Sequence, residues 1–275
     1  MIRVGISGWT YAPWRGTFYP VGLPHKQELA YAAERLSSIE INGTFYALQR
    51  PGSFTNWREQ TPDDFVFSVK GGRFITHMKR LLDPQASLAN FFASGVLGLG
   101  PKLGPILWQL PPDFKYDSGR LTDFFDALPR THAEAIAVGG GHDQKLTEDR
   151  TLLTAEDPEQ PIRHALEVRN DTFKTPKLLD LLQEHRIALV IADTAGRWPQ
   201  IEALTTDFGY LRLHGADELY VSGYTDDGLD AWATKINSWS DRVDDLYVYF
   251  DNDAKVRSPY DAMALARRLN STPQR

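Results

Sequence analysis

Apolar and polar positions along the chain fall into two alternating rhythms. Eight short stretches are apolar and rich in β-branched or aromatic residues: residues 3–7 (RVGIS), 37–42 (SSIEIN), 65–70 (FVFSVK), 104–110 (GPILWQL), 164–169 (HALEVR), 187–193 (IALVIAD), 209–214 (GYLRLH) and 245–252 (DLYVYFDN). Each reads as a strand. Between most of them lie helix-like stretches, at 25–36, 52–60, 83–98, 118–128, 175–185 and 227–242, with a last one at 258–269 closing the chain; several open on Asp, Ser or Thr at a plausible cap. The gap at 194–207 leaves room for a short helix or none. No Asn-Gly type hairpin joins consecutive strands, and connections of ten or more residues that contain a helix imply parallel pairing. Eight such units in this length predict an α/β fold, a (β/α)8 TIM-like barrel spanning residues 1–275 as one domain. An open doubly wound sheet is the competing arrangement. One segment, around 130–161, is too long and too acidic for a βα connection and is expected to be a surface excursion. Its triple glycine at 139–141 is followed by no Lys-Ser/Thr, so it reads as a turn and not as a phosphate cradle.

The strand rhythm poses a question at Glu40. Side chains alternate across a strand, so Glu40 and Asn42 share the face opposite Ile39 and Ile41. The same division recurs: Glu167 and Arg169 oppose Leu166 and Val168, Arg212 and His214 oppose Leu211 and Leu213, and Ser68 and Lys70 oppose Phe67 and Val69. Gln109 faces away from Trp108 and Leu110, and Asp193 closes the sixth strand. In a barrel, this polar face lines the interior at the C-terminal ends of the strands, where active sites of the fold are built. Burying so many charged groups costs core stability unless they are paired or hydrated. A structural ion-pair plug, such as Glu40 with Lys70, is the plain alternative for any one of them.

Composition narrows the chemistry. The chain has 275 residues, 42% of them hydrophobic and 24% charged, which places it among globular proteins and not among disordered or fibrous ones. With no cysteine, disulfides, thiolate metal sites and cysteine nucleophiles are excluded. The first thirty residues lack a secretory pattern, and no run approaches the length of a membrane span, so a cytoplasmic protein without a membrane partner is expected. A formal charge of −6 disfavours bulk nucleic-acid binding.

The residues also carry a resemblance. GISGWTYAPWRGTFYP at 5–20, EINGTFY at 40–46, FSVKGGRFITHMKRL at 67–81, GPILWQLPPDF at 104–114, HALEVRNDTF at 164–173, YLRLHG at 210–215 and YVYFDND at 247–253 resemble the DUF72 (YecE-like) family, in order and over the whole chain. The resemblance implies a TIM-barrel-like fold and a family with no established activity. It also shows a departure: Asn170 stands where the family's Glu-x-Arg usually continues with His, so a mechanism relying on that imidazole does not carry over.

From residue types alone, Lys70, Arg169 and Arg212 predict a positive pocket for a phosphate or carboxylate, with Asn42, Gln109 and Asn252 as further ligand-binding candidates. Glu40, Glu167 and Asp193 are the candidate general acids and bases, and His214 a proton shuttle. Among rim aromatics, Trp9, Tyr46 and Tyr220 are candidates to stack on a sugar or base, whereas Trp14 and Phe45 read as anchors of long loops. No H-x-x-x-H pair occurs and the cations would repel a divalent ion, so neither a metal nor another cofactor is expected. The leading expectation is acid–base catalysis on a small phosphorylated or carboxylated molecule, sugars among the candidates. An endonuclease-like phosphodiester enzyme and a non-catalytic binder of an anionic metabolite or protein partner are the alternatives, and the oligomeric state is left open.

Overall fold

A computed structural model describes residues 1–144 and 146–270. Eight parallel strands close into a barrel in sequence order: β1 Ile2–Ser7, β2 Ser38–Ile41, β3 Val66–Lys70, β4 Leu103–Gln109, β5 His164–Glu167, β6 Ile187–Asp193, β7 Phe208–Leu213 and β8 Asp245–Phe250. Closure is made by β1 against β8, with Gly5 opposite Tyr249 and Ile6 opposite Phe250. The open-sheet alternative is thereby removed.

The helices are α1 Glu28–Ala33, α2 Gly43–Tyr46, α3 Pro51–Glu59, α4 Gln85–Ala93, α5 Ser118–Asp126, α6 His132–Gly139, α7 Pro176–Glu184, α8 Asp226–Ser240 and α9 Ser258–Asn270. Side-chain caps start several of them: Asp117 accepts from Arg120 N, Thr131 from Glu134 N and Thr225 from Gly228 N, each satisfying an otherwise orphaned backbone donor. Among the described residues no helix lies between β6 and β7. The segment at 130–161 is not wholly irregular: it contains α6 and closes on itself through an antiparallel bridge between Thr131 and Pro161. A π-helical turn, Phe74–Met78, follows β3.

Two apolar layers result from the strand alternation. Ile6, Ile39, Ile41, Val69, Trp108, Leu166, Ile191, Leu213 and Phe250 point outward into the layer under the helices. Inside the barrel a smaller set, including Ala165, Ala188, Val190, Ala192, Tyr210 and Tyr249, fills the middle. Polar groups stitch that middle layer: Tyr249 and Ser38 hydroxyls lie 2.7 Å apart, and Tyr210 and Ser68 hydroxyls 2.6 Å apart. Above it, at the C-terminal ends of the strands, the interior turns ionic.

Candidate functional site

Arg212 on β7 is the centre of this ionic layer. Its Nε and Nη2 donate to Glu40 at 3.1 and 2.8 Å, its Nη1 to Glu167 at 2.7 Å, and its Nη2 also to Asp251 at 2.8 Å and to Ser7 Oγ at 3.1 Å. Arg212, Glu40 and Glu167 are all fully buried. Glu40 further accepts from the Ser7 hydroxyl and, at 2.6 Å, from Tyr210. The answer to the question posed by Glu40 is therefore a countercharge: it neutralises an arginine at the barrel axis. Arg212 has no donor to spare for a ligand, because the fork geometry that suits it to phosphate is spent on three carboxylates. This differs from the expectation of Arg212 as a ligand-binding residue, and the same enclosure engages Glu40 and Glu167 with Arg212.

Burial alone would raise the Glu167 pKa, but Arg169, Arg212, His214 and Lys70 outweigh it and hold the carboxylate well below its usual range. Asp251 is likewise held down, burial being outweighed by Arg212 and by His214. His214 is fully buried, and burial followed by the Arg212 charge pushes its pKa down. Its Nε2 lies 3.5 Å from Arg212 Nη1 and its Nδ1 3.1 Å from Asp251, the latter contact poorly aligned. The arginine beside Nε2 favours the neutral tautomer with its proton on Nδ1.

A second storey sits above this network. Arg169 donates to Glu167 at 2.6 Å and to Gln109 at 2.9 Å, and its guanidinium stacks 3.9 Å from the centre of the Trp198 ring. Lys70, at the end of β3, is 8% exposed; its Nζ lies 4.5 Å over the Phe45 ring and makes no hydrogen bond or ion pair among the described residues. Burial first, then the Arg212 charge, pushes the Lys70 pKa down to about 8, against the opposing pull of Glu40, Asp251 and Glu167. His77, on the π-helical turn, packs edge-on against Phe45; burial and the charges of Arg169, Lys70 and Arg73 push its pKa down to about 4. Lys70 and Arg169 thus bring two cationic groups to the mouth, near the Arg212 charge.

Carboxyls occupy the other side. Asp253 is in side-chain contact with Asp251, accepts from Ser258 Oγ at 2.7 Å, and neighbours the Tyr11 phenol. Burial, then the Asp251 charge, raises the Asp253 pKa well above the carboxylate range. Two carboxyls in one site are thus shifted in opposite directions, Asp251 down by Arg212 and Asp253 up by burial and by Asp251. Tyr11 donates to Ser7 O at 2.6 Å, and Gly8 beneath it has φ +83, where an added Cβ would stand 2.7 Å from the Tyr11 hydroxyl.

Other expected members fall elsewhere. Asp193 has the parity of Leu189 and Ile191, so its side chain faces the helix layer and accepts from Tyr224 at 2.9 Å, outside the cluster. Asn252 is fully buried and ties the loop after β8 to Ser222 O at 2.9 Å and to Asp261 at 2.8 Å. Sequence reasoning named Asn252 where the alternation of Tyr247, Tyr249 and Asp251 carries the signal for Asp251. Tyr220, with φ 65, sets its ring edge-on against His214. Asn42 donates to Ser7 Oγ at 2.9 Å while its Oδ1 is buried without a hydrogen-bond partner among the described residues. Beside it, Trp9, Tyr11, Tyr46 and Trp57 line a groove of about 440 Å³ at the ends of β1 and β2. Among the described residues no three His, Asp or Glu side chains are grouped as a metal site, and no helix is long and apolar enough to cross a membrane.

Fold and mouth together define a parallel eight-stranded barrel protein with an ionic layer at the C-terminal ends of its strands. The chain belongs to the family described as protein of unknown function DUF72, whose model matches residues 3–275. It is 26% identical over 245 residues to the UPF0759 protein YecE of Escherichia coli O157:H7, covering 87% of this chain and 82% of that one. A partial match, 29% identical over 119 residues, covers 42% of this chain and 41% of the UPF0759 protein YunF of Bacillus subtilis (strain 168). A DUF72 family protein (TM1631) of Thermotoga maritima MSB8 superimposes with a TM-score of 0.76 at 24% identity, over 98% of this chain and 99% of that one.

Proposed function

We propose that the protein is an enzyme that performs acid–base chemistry on a small anionic molecule at the C-terminal mouth of the barrel. The observation that carries this reading is the split carboxyl pair. Asp253 is pushed up by burial and by the Asp251 charge while Asp251, a neighbour in the same site, is held down by Arg212, and environments that drive two titratable groups apart mark the acid and the base of a site. Lys70 and Arg169 face the same mouth and supply the positive side that would hold a phosphate or carboxylate, with Arg169 kept in place by Glu167, Gln109 and Trp198. The aromatic groove next to Asn42 is suited to an uncharged remainder such as a sugar ring.

A second reading, a non-catalytic receptor for the same anion, has its own support: Arg212 and its carboxylates saturate one another and leave the lower storey inert. One experiment separates the two. A thermal-shift panel of inorganic phosphate, sugar phosphates and small carboxylates should give stabilisation that Arg169→Gln weakens; a ligand at a hundred times its Kd adds about 2.7 kcal/mol. Each stabilising compound is then incubated with the protein in deuterated water and followed by proton NMR. Exchange of a carbon-bound hydrogen that disappears in Asp253→Asn supports the enzyme. Stabilisation with no exchange by any compound would leave only the receptor, and no stabilisation would remove both.

A further inference from the structure

Among the described residues two lysines are nearly buried, and they differ in kind. Lys102 is 6% exposed, and its Nζ donates to Arg58 O at 2.7 Å, Thr61 O at 2.7 Å and Thr61 Oγ1 at 3.2 Å, the full complement of an ammonium. Lys70 has none of these. It projects from the C-terminal end of β3 at the barrel mouth, its carbon stem and Nζ against Phe45, among charged groups of every element around it. Those are Glu40 of β2, Glu167 of β5, Arg212 of β7, Asp251 beyond β8, and His77 of the π-helical turn, which Arg169 beyond β5 also neighbours. All three carboxylates are taken by arginines: Glu40 and Asp251 by Arg212, Glu167 by both Arg212 and Arg169. None is left to bind an ammonium at Lys70.

We propose that Lys70 is a nucleophile that forms an imine with a small aldehyde or ketone bearing a phosphate or carboxylate group. The inference rests on the anion-binding reading of the mouth and names the substrate class and the covalent step. The neutral amine adds its lone pair to the carbonyl carbon as the C=O π bond breaks, and one amine proton moves to the oxygen. The C–O bond of the resulting carbinolamine then breaks, and the oxygen leaves as water with the second amine proton. One C=N bond replaces one C=O bond, one water is released, and nothing is oxidised or reduced. Arg169, which shares His77 and Glu167 as neighbours with Lys70, is placed for the anionic group. A lysine kept partly neutral by burial and by a neighbouring cation is the form of the residue suited to this addition, and the depressed pKa of about 8 agrees with the geometry.

The test is reductive trapping on the full chain. Pyruvate and glycolaldehyde phosphate are added near pH 7.5 with sodium borohydride, and the labelled lysine is located by peptide mass spectrometry. Exposed lysines such as Lys26, Lys174 and Lys177 are internal controls. The expected result is an adduct concentrated on Lys70, suppressed by inorganic phosphate and absent from a folded Lys70→Arg variant. Adducts no greater at Lys70 than at the exposed lysines would overturn the imine. Thermal shift with phosphate is run in parallel: stabilisation without trapping leaves the anion site standing and the imine refuted, whereas loss of both refutes the mouth itself.

Discussion

Arg212 grips Glu40 with two nitrogens, at 3.1 and 2.8 Å, and neither side chain has any exposed surface. A pair so enclosed is not a source of net stability by its presence alone, because both ions were taken out of water to make it. Breaking it from one side is another matter.

Arg212→Met should strand Glu40 and Asp251 in the interior and leave Glu167 with Arg169 alone. The expected cost is about 3–5 kcal/mol, seen as a large fall in thermal midpoint. Adding Glu40→Gln to that variant should recover part of the loss, since one of the stranded charges is removed. Additive losses in the double variant would show that the two residues are not coupled as described.

The acid limb of stability should come from Glu167 and Asp251. Both have folded-state pKa values below their ordinary ones, so their contribution is complete above about pH 4 and is lost as pH falls through the folded values. Chemical denaturation followed from pH 5 to pH 2 should show a steep decline. The decline should be shallower in Glu167→Gln, and an unchanged slope would contradict the assignment.

Asp253 should act in the opposite sense. Its folded pKa is raised, so above about pH 4 the unfolded chain releases a proton that the folded chain retains, and stability decreases as pH rises. Asp253→Asn keeps the shape, removes the penalty and should be the more stable protein at pH 7, with each kcal/mol worth roughly 2–4 °C in Tm. The gap should close near pH 4. A variant less stable than the parent at pH 7 would sink the idea of a proton held there.

Lys70 also costs stability, by the mirror argument. Its folded pKa of about 8 lies below the unfolded value of about 10.4, so between these limits the unfolded chain binds the extra proton, and stability increases as pH rises through that window. Lys70→Met should therefore be stabilised at pH 7, by about 3 kcal/mol at most, and the advantage should vanish above pH 10. The same variant should respond less to phosphate, which is the signature of a charge kept for function and not for the fold.

Fold class and strand positions were legible because they depend on local rhythm. The stretch at 187–193 was bounded as observed, and the others were placed within about two residues, since β-branched and aromatic runs separated by amphipathic helices admit few arrangements. Helix α6 was hidden by the acidic, glycine-rich character of its surroundings, and α2 and the π-helical turn by their shortness. Parity also placed Glu40, Lys70, Glu167, Arg169 and Arg212 on one inner face, and misled only where it was not followed strictly, at Asp193 and Asn252.

What the sequence by itself determined is therefore which side chains point into the barrel, because the two-residue alternation of a strand is a local property of the backbone. What only the tertiary structure decided is who pairs with whom. Arg212 lies 172 residues from Glu40 and 45 from Glu167, and closure of the barrel makes them neighbours and leaves Lys70 without a carboxylate of its own. Charge partnership is a matter of distances across the barrel, and no pattern along the chain encodes it.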